Sequence, residues 1–304
     1  MYKIADAHCD YLAYRVLKKD EGRLFDHVDI KRMCSGGIAL QNFAVWVPPD
    51  TNNKLRLGLE QIDCFTDMIN SSGGAVRLCT DSACLNDGRG ICAILSIESG
   101  ESINCDNAYI SIVYEKGARI FSLTWNDENN YGSGCLKQGG LKPQGVAAVR
   151  LLNRLRIALD VSHINEKGFW EVLDTYEHAP CATHSCVFDL YEHPRNLKKQ
   201  QIKALIDRDG FIGINFYPEF LKGTFATIDD ILDHIDYVLD CGDEHNVGFG
   251  SDFCGIEHTP EGLDSAADFQ ALPEAMAKRN YPESLITQIS YGNFARYILK
   301  FLNQ

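Results

Sequence analysis

Residues 1–10 read MYKIADAHCD. Tyr2, Ile4, Ala5 and Ala7 are small or apolar, and the stretch ends on Asp6, His8 and Asp10. An apolar run that stops on ligand-type side chains reads as a buried strand opening into a site. On a strand, residues two apart share a face, so His8 and Asp10 aim together while Cys9 turns away. A neutral imidazole and a carboxylate converging in this way suit a divalent metal such as zinc.

Working outward, similar strands recur along the chain. Apolar runs at residues 38–47 (stopped by Pro48 and Pro49), 90–97, 118–125, 158–162, 179–183, 211–216 and 247–250 read as strands. Between them lie helical patterns at 12–19, 53–69, 107–116, 146–156, 165–176, 198–208 and 228–239. Leu55, Leu59, Ile62, Phe65 and Ile69 show the helical spacing. Thr227 is placed to cap a helix whose first turn carries Asp229 and Asp230. Alternation of this kind predicts parallel βαβ units. Eight strands predict an α/β fold of the closed (β/α)₈ TIM-type barrel, with an open doubly wound sheet as the alternative. No glycine fingerprint follows the first strand and no phosphate loop is present, which weighs against a nucleotide-binding sheet. Residues 1–304 are expected to form a single domain with C-terminal helices. Residues 127–145 break the rhythm, with Asn129, Asn130, Gly132, Gly134, Gly139, Gly140, Pro143 and Gly145, and predict a long irregular functional segment.

Composition narrows the function. The net charge is −13 with a pI near 5.1, which argues against nucleic acid and anionic membrane surfaces as partners. No apolar run is long enough to span a membrane, and no signal peptide precedes the first strand. The twelve cysteines are scattered without a C-x-x-C pair, which predicts free thiols and a cytoplasmic location.

The polar residues at the strand ends carry the chemistry. His8 and Asp10 close the first strand, Glu98 a later one, His163 and His184 two consecutive ones, and Asp252 follows the last. Barrel enzymes place catalytic groups at the carboxyl ends of their strands. A lone histidine is more often structural, but five ligand-type residues in the same relative position suggest two metal ions, with Glu98 able to bridge them. A bridging hydroxide could attack a carbonyl, and Asp252 could carry the proton to a leaving amine. Zinc suits the donors best, with manganese or cobalt as substitutes. Ser99, Ser162 and Ser185 flank these residues, but no G-x-S-x-G elbow exists. Cys9, Cys186 and Cys254 would need a base that the metal appropriates. His27, His178, His193, His234, His245 and His258 are expected at the surface.

The motifs AHCD (7–10), SIESGESI (96–103), LTWNDENN (123–130), LDVSH (159–163), ATHS (182–185), HPRN (193–196), INFY (214–217) and GFGSDFCG (248–255) occur in this order. The whole chain resembles the membrane (renal) dipeptidase family of zinc peptidases, a branch of the amidohydrolase-like barrels. The resemblance implies a metal-dependent dipeptidase in which His8, Asp10 and Glu98 hold one zinc, and Glu98, His163 and His184 the other. It implies Asp252 as the acid that handles protons or the substrate amino group, Arg195 as the partner of the substrate carboxylate, and Tyr217 in the same pocket. A guanidinium fork suits a carboxylate. Trp125 stands where the membrane-anchored relatives carry a histidine. Its indole N–H, the neighbouring Asn126 or the metals alone must then stabilise the oxyanion. The expected substrates are dipeptides, including those with a D-residue at the second position. A lactam, cyclic amide or ester hydrolase and a catalytically weakened metal-binding homologue are the alternatives. Dimeric relatives imply a homodimer.

Overall fold

The structure, a computed structural model, describes residues 1–17, 27–242 and 244–303. Among the described residues nine parallel strands run in chain order: β1 (Ile4–Asp6), β2 (Ile38–Val45), β3 (Val76–Leu78), β4 (Ile91–Ile97), β5 (Ala118–Ser122), β6 (Ala158–Asp160), β7 (Cys181–Ala182), β8 (Phe211–Ile214) and β9 (Val247–Phe249). Eight of them close a barrel. β4 pairs along one edge with β2 from Leu40↔Cys92 to Val45↔Ile97. The ring continues β4-β5-β6-β7-β8-β9-β1-β2 and shuts where Asp6 pairs with Phe249. The expected (β/α)₈ TIM-type barrel is therefore the fold.

β3 was not expected. It lies outside the ring against the first residues of β4, whose later residues pair with β5 instead. Three residues between a glycine-rich turn and a polar stretch carry too little periodicity to announce a strand. The other differences are at boundaries. The helix expected at 12–19 runs Tyr11–Leu17, and its last two positions lie outside the described residues. Pro143 begins a helix, Pro143–Leu155, because its fixed φ and missing N–H suit the first helical turn. Thr227 does cap Ile228–Cys241, in a reciprocal pair with Asp230.

Why the strands are buried follows from composition. Every residue of β4, ICAILSI, is buried, as suits a parallel strand covered on both faces. Each such Ile or Leu contributes about 1.5–3 kcal/mol by leaving water. The amino end of the barrel is sealed by the C-terminal helices. Asn293 Nδ2 donates to the carbonyl of Val247 (2.8 Å), and Tyr297 donates its hydroxyl to the carbonyl of Ala179 (2.9 Å). The carboxyl end is left for the site. There Gly250 lets two strands close up, since a Cβ would sit 1.8 Å from the carbonyl oxygen of Thr183. The segment after β5 is irregular, as expected, yet well packed. Tyr131 is fully buried, and Asn129 Oδ1 accepts from the N–H groups of Tyr131 and Gly132. No helix among the described residues is long and apolar enough to cross a membrane.

Candidate metal centre and active site

Glu98 leaves the end of β4 into the middle of the barrel mouth. Its Oε1 lies 2.8 Å from His163 Nε2 and 3.7 Å from His184 Nε2. Its Oε2 lies 3.2 Å from His8 Nε2, which is also 3.8 Å from Asp10 Oδ2 and 3.8 Å from Asp252 Oδ1. β1 itself stops at Asp6, but extended backbone carries on. Cys9 bridges to Phe253, which keeps His8 and Asp10 aimed at the same space while Cys9 is buried. The structure thus brings together all five side chains that the sequence assigned to metal, with Asp252 beside them.

The tautomers of two of these imidazoles are set by their neighbours. His163 Nδ1 donates to Asn126 Oδ1 at 2.8 Å. Thr183 Oγ1 donates to Asp160 Oδ2 (2.6 Å), so it has only a lone pair to offer His184 Nδ1 at 2.8 Å. Both Nδ1 atoms therefore carry hydrogen, and both Nε2 atoms are bare lone pairs. Those lone pairs lie 2.8 Å apart and face Glu98 Oε1. His8 Nε2, Glu98 Oε2 and Asp10 Oδ1 are likewise buried without a well-formed hydrogen bond. Such a gathering of electron pairs is unfavourable by itself and fits divalent cations between the groups. The donors, imidazole nitrogen and carboxylate oxygen, fall into two overlapping triads, His8–Asp10–Glu98 and Glu98–His163–His184. A third triad, His8–Asp160–His184, is less suited, because Asp160 is already saturated by hydroxyl and amide donors.

Electrostatics divide the site. Burial alone would push the His8 imidazolium down, but Glu98 and Asp10 outweigh it and raise it well above the ordinary range. His163 and His184 are lowered by burial, helped by Arg195 and by the other imidazoles. Burial pushes Asp252 up to about 7, with Asp10 and Glu98 adding to the effect and His8 opposing it. Burial also raises Asp10, and Glu98 adds to the rise. A dication among these groups would reverse the logic and favour the carboxylates.

Around these side chains lies a cavity of about 460 Å³ lined by Trp46, Trp125, Asn126, Arg195, Tyr217 and Asp252 among others. Asp252 holds a left-handed backbone (φ 61°), and Asn215 Nδ2 donates to its Oδ2 at 2.8 Å, leaving Oδ1 towards His8. Next to it, Gly255 can carry no side chain, since a Cβ would meet Asp10 Oδ2 at 2.1 Å. Arg195 is buried. Its Nη1 donates to the carbonyl of Ser162 and its Nη2 to that of His184 (2.9 Å). Among the described residues it has no carboxylate partner, and its Nε is unpaired. Tyr217 donates to Glu257 Oε2 at 3.1 Å at the pocket rim.

Several functional neighbours escaped sequence reasoning. Asp160 ties Ser162 and Thr183 together, and Asp6 takes the N–H and hydroxyl of Ser251 and the amide of Gln41. The signal was present, since both are carboxylates inside otherwise apolar strands. Trp46 and Glu257, by contrast, announced nothing. Two expectations are corrected. His234 is buried, accepting from the N–H of Val187 and bonding the carbonyl of Leu221. His27 is buried too, lines the cavity and accepts from the N–H of Cys254. Asn126, expected against substrate, turns its amide oxygen to His163. The thiols of Cys9 and Cys186 are buried and pushed up by burial, which leaves them protonated.

A parallel barrel with imidazoles and carboxylates gathered at its carboxyl mouth defines a metal-dependent hydrolase. More particularly, the chain belongs to the membrane dipeptidase family (peptidase family M19), whose sequence profile matches residues 1–301. A metallo peptidase from Rhodobacter sphaeroides, solved with a phosphinate mimic of the dipeptide L-Ala-D-Ala, is similar at 25% identity. Its TM-score is 0.91 over 99% of both chains. A solved structure described as the dipeptidase AC reaches a TM-score of 0.92 at 26% identity, over 100% of this chain and 99% of its own. The dipeptidase AclJ of Aspergillus oryzae is 27% identical across 94% of this chain and 72% of its own.

Proposed function

We propose that this chain hydrolyses the peptide bond of dipeptides at a dinuclear centre held by His8, Asp10, Glu98, His163 and His184. The supporting observation is the pair of bare Nε2 lone pairs of His163 and His184, 2.8 Å apart against Glu98, whose other oxygen faces His8. Zinc suits these donors, with manganese or cobalt as substitutes. Bound divalent ions would supply Lewis acidity and an activated water near neutral pH.

The chain's own residues supply the rest. Asp252 Oδ1 faces the centre while its other oxygen is fixed by Asn215, a geometry for taking a proton from the attacking water and passing it to the leaving amine. Arg195 is a buried guanidinium with no acidic partner among the described residues, and it offers that charge to a substrate carboxylate. Acidic groups around Asp252 and Asp10 suit a free amino group. Recognition of charge at both ends selects short substrates. Trp125 packs 5.3 Å from Trp46, ring to ring, and this aromatic wall suits a substrate side chain. Tyr217 and Glu257 border the entrance. The twelve free thiols fit a reducing compartment such as the cytoplasm.

The test is a metal count together with a panel of dipeptides, their N-acetyl and C-amide derivatives, D-residues at the second position, and a lactam. Two ions bound at the barrel mouth, lost in Glu98→Gln, and turnover of free dipeptides, with either blocked end costing at least about tenfold in kcat/KM, is the expected result. Full metal content with no dipeptide turnover would sink the proposal.

A further inference from the structure

A second cluster of ligand-type side chains lies at the other end of the same strand. Cys79 follows β3, Cys84 sits on the short helix Ser82–Asn86, and Cys92 is near the start of β4. Their sulfurs all lie within 4.8 Å of one another, and Cys84 Sγ is 3.9 Å from Cys92 Sγ. Two thiolates bound to one tetrahedral zinc at about 2.3 Å each are about 3.8 Å apart. A disulfide needs about 2.0 Å. The separation therefore matches a shared ion better than a bond. Glu98 is six residues beyond Cys92, roughly 20 Å along the strand, so the cluster is separate from the catalytic mouth.

The thiols donate to backbone carbonyls, Cys92 Sγ to that of Cys84 (3.2 Å) and Cys84 Sγ to that of Leu78 (3.4 Å), and one cation faces them. Arg77 Nη2 lies 3.8 Å from Cys92 Sγ, and the same guanidinium is held by Asp87 at 2.5 and 2.6 Å. The Asp81 side chain caps the helix by accepting from the N–H of Cys84 (2.7 Å). Asn303 fixes the segment between Cys79 and Cys84, through its N–H to the carbonyl of Thr80 and its carbonyl to the N–H of Ser82, both 2.9 Å. Cys79 and Cys92 are buried while Cys84 is half-buried, which gives an entry path and room for a solvent ligand.

We propose that Cys79, Cys84 and Cys92 form a structural three-thiolate site for a soft divalent ion of the zinc type, clipping β3 and its helix to β4. Binding would form three metal–sulfur bonds and release three thiol protons to solvent.

The experiment is an anaerobic cobalt titration of the full-length, chelator-treated, reduced protein, read by the sulfur-to-cobalt charge-transfer band in the near ultraviolet. The band should saturate once one cobalt ion per chain is bound beyond the two taken by the barrel mouth, and zinc should bleach it. Cys84→Ser, at the half-buried position, should weaken binding by more than about a hundredfold, beyond the cost of losing an outer partner. Glu98→Gln, which disables the catalytic centre, should leave the band unchanged. No band in the wild type, a band that survives in Cys84→Ser, or one that disappears in Glu98→Gln overturns the proposal.

Discussion

His8 and the pair His163–His184 face each other across Glu98, and their surroundings differ in kind. On the His8 side two carboxylates, Asp10 and Asp252, lie within 3.8 Å of the imidazole, and Glu98 with Asp10 raises its basicity despite burial. On the other side two imidazoles meet at 2.8 Å, Arg195 is near, and burial lowers both histidines. The first pocket carries its own negative charge. The second draws its charge from Glu98 and its order from uncharged neighbours, Asn126 and Thr183. A cation in the first pocket would be held mainly by charge, and one in the second mainly by preset lone pairs.

Glu98 is the single residue common to both pockets, and removing its charge should break the comparison altogether. Glu98→Gln keeps the shape but offers one neutral acceptor and one N–H donor where two anionic oxygens stood. Both pockets should lose metal, and kcat/KM should fall by roughly a thousandfold or more. Chelation of the wild type should give the same loss, restored by added zinc along with a raised melting temperature. Two ions and normal turnover in Glu98→Gln would refute the shared centre.

Asp252 tests whether the acid-rich side does more than bind. Its Oδ2 is engaged by Asn215, and its strained backbone fixes the direction of Oδ1. Asp252→Asn should keep both ions and the fold while losing about 10²–10⁴ in kcat, the range of a general acid–base group. Loss of an ion instead would move Asp252 into the ligand set.

The barrel was legible in the sequence because parallel, doubly covered strands are continuous apolar runs, and because their ends carry the polar residues. The polar cluster at the barrel mouth was legible for the same reason. His8 or Glu98 at the close of an apolar run has no packing role to play there. β3 was not legible, since three residues outside the ring have one buried position and no alternation. The outer ring of orienting groups was half visible. Asp160 stood in a quoted motif, yet nothing in its spacing said that its oxygens would meet Thr183 from the next strand. His234 shows the reverse error. A histidine on a helix reads as surface, but its neighbours Ile231, Leu232 and Ile235 lie on the buried side with it. Contacts between strands far apart in sequence are set by barrel closure, which no local pattern records.

Asp160 sharpens the comparison on the imidazole-rich side. One oxygen accepts from the N–H and hydroxyl of Ser162 (3.0 and 2.6 Å) and from the N–H of Thr183 (3.1 Å). The other accepts from Thr183 Oγ1 (2.6 Å) and Ser122 Oγ (3.1 Å). An amide in its place turns an N–H₂ group towards donors. Asp160→Asn should cost about 1–3 kcal/mol in stability, read by denaturant unfolding. It should weaken the His163–His184 ion by about 10–100-fold and the His8–Asp10 ion less, read by metal titration. Equal weakening of both ions would mean that the two pockets are not ordered separately.

The smallest expected effect is also the most discriminating, because it decides what Asn126 does. The sequence placed Asn126 against substrate, and the structure places its Oδ1 2.8 Å from His163 Nδ1. If it orients the ligand, Asn126→Ala should weaken only the second ion, by about tenfold, at the low end for an outer-shell partner. Asn126→Asp should hold that affinity near the wild-type value, since a carboxylate accepts from the same N–H. Substrate KM measured at saturating zinc should then move little in either variant. An unchanged metal affinity with a raised KM in Asn126→Ala would return the residue to substrate binding. The bare lone pair on His163 would then need another explanation, which Thr183 cannot supply because the imidazoles its hydroxyl reaches are those of His184 and His8.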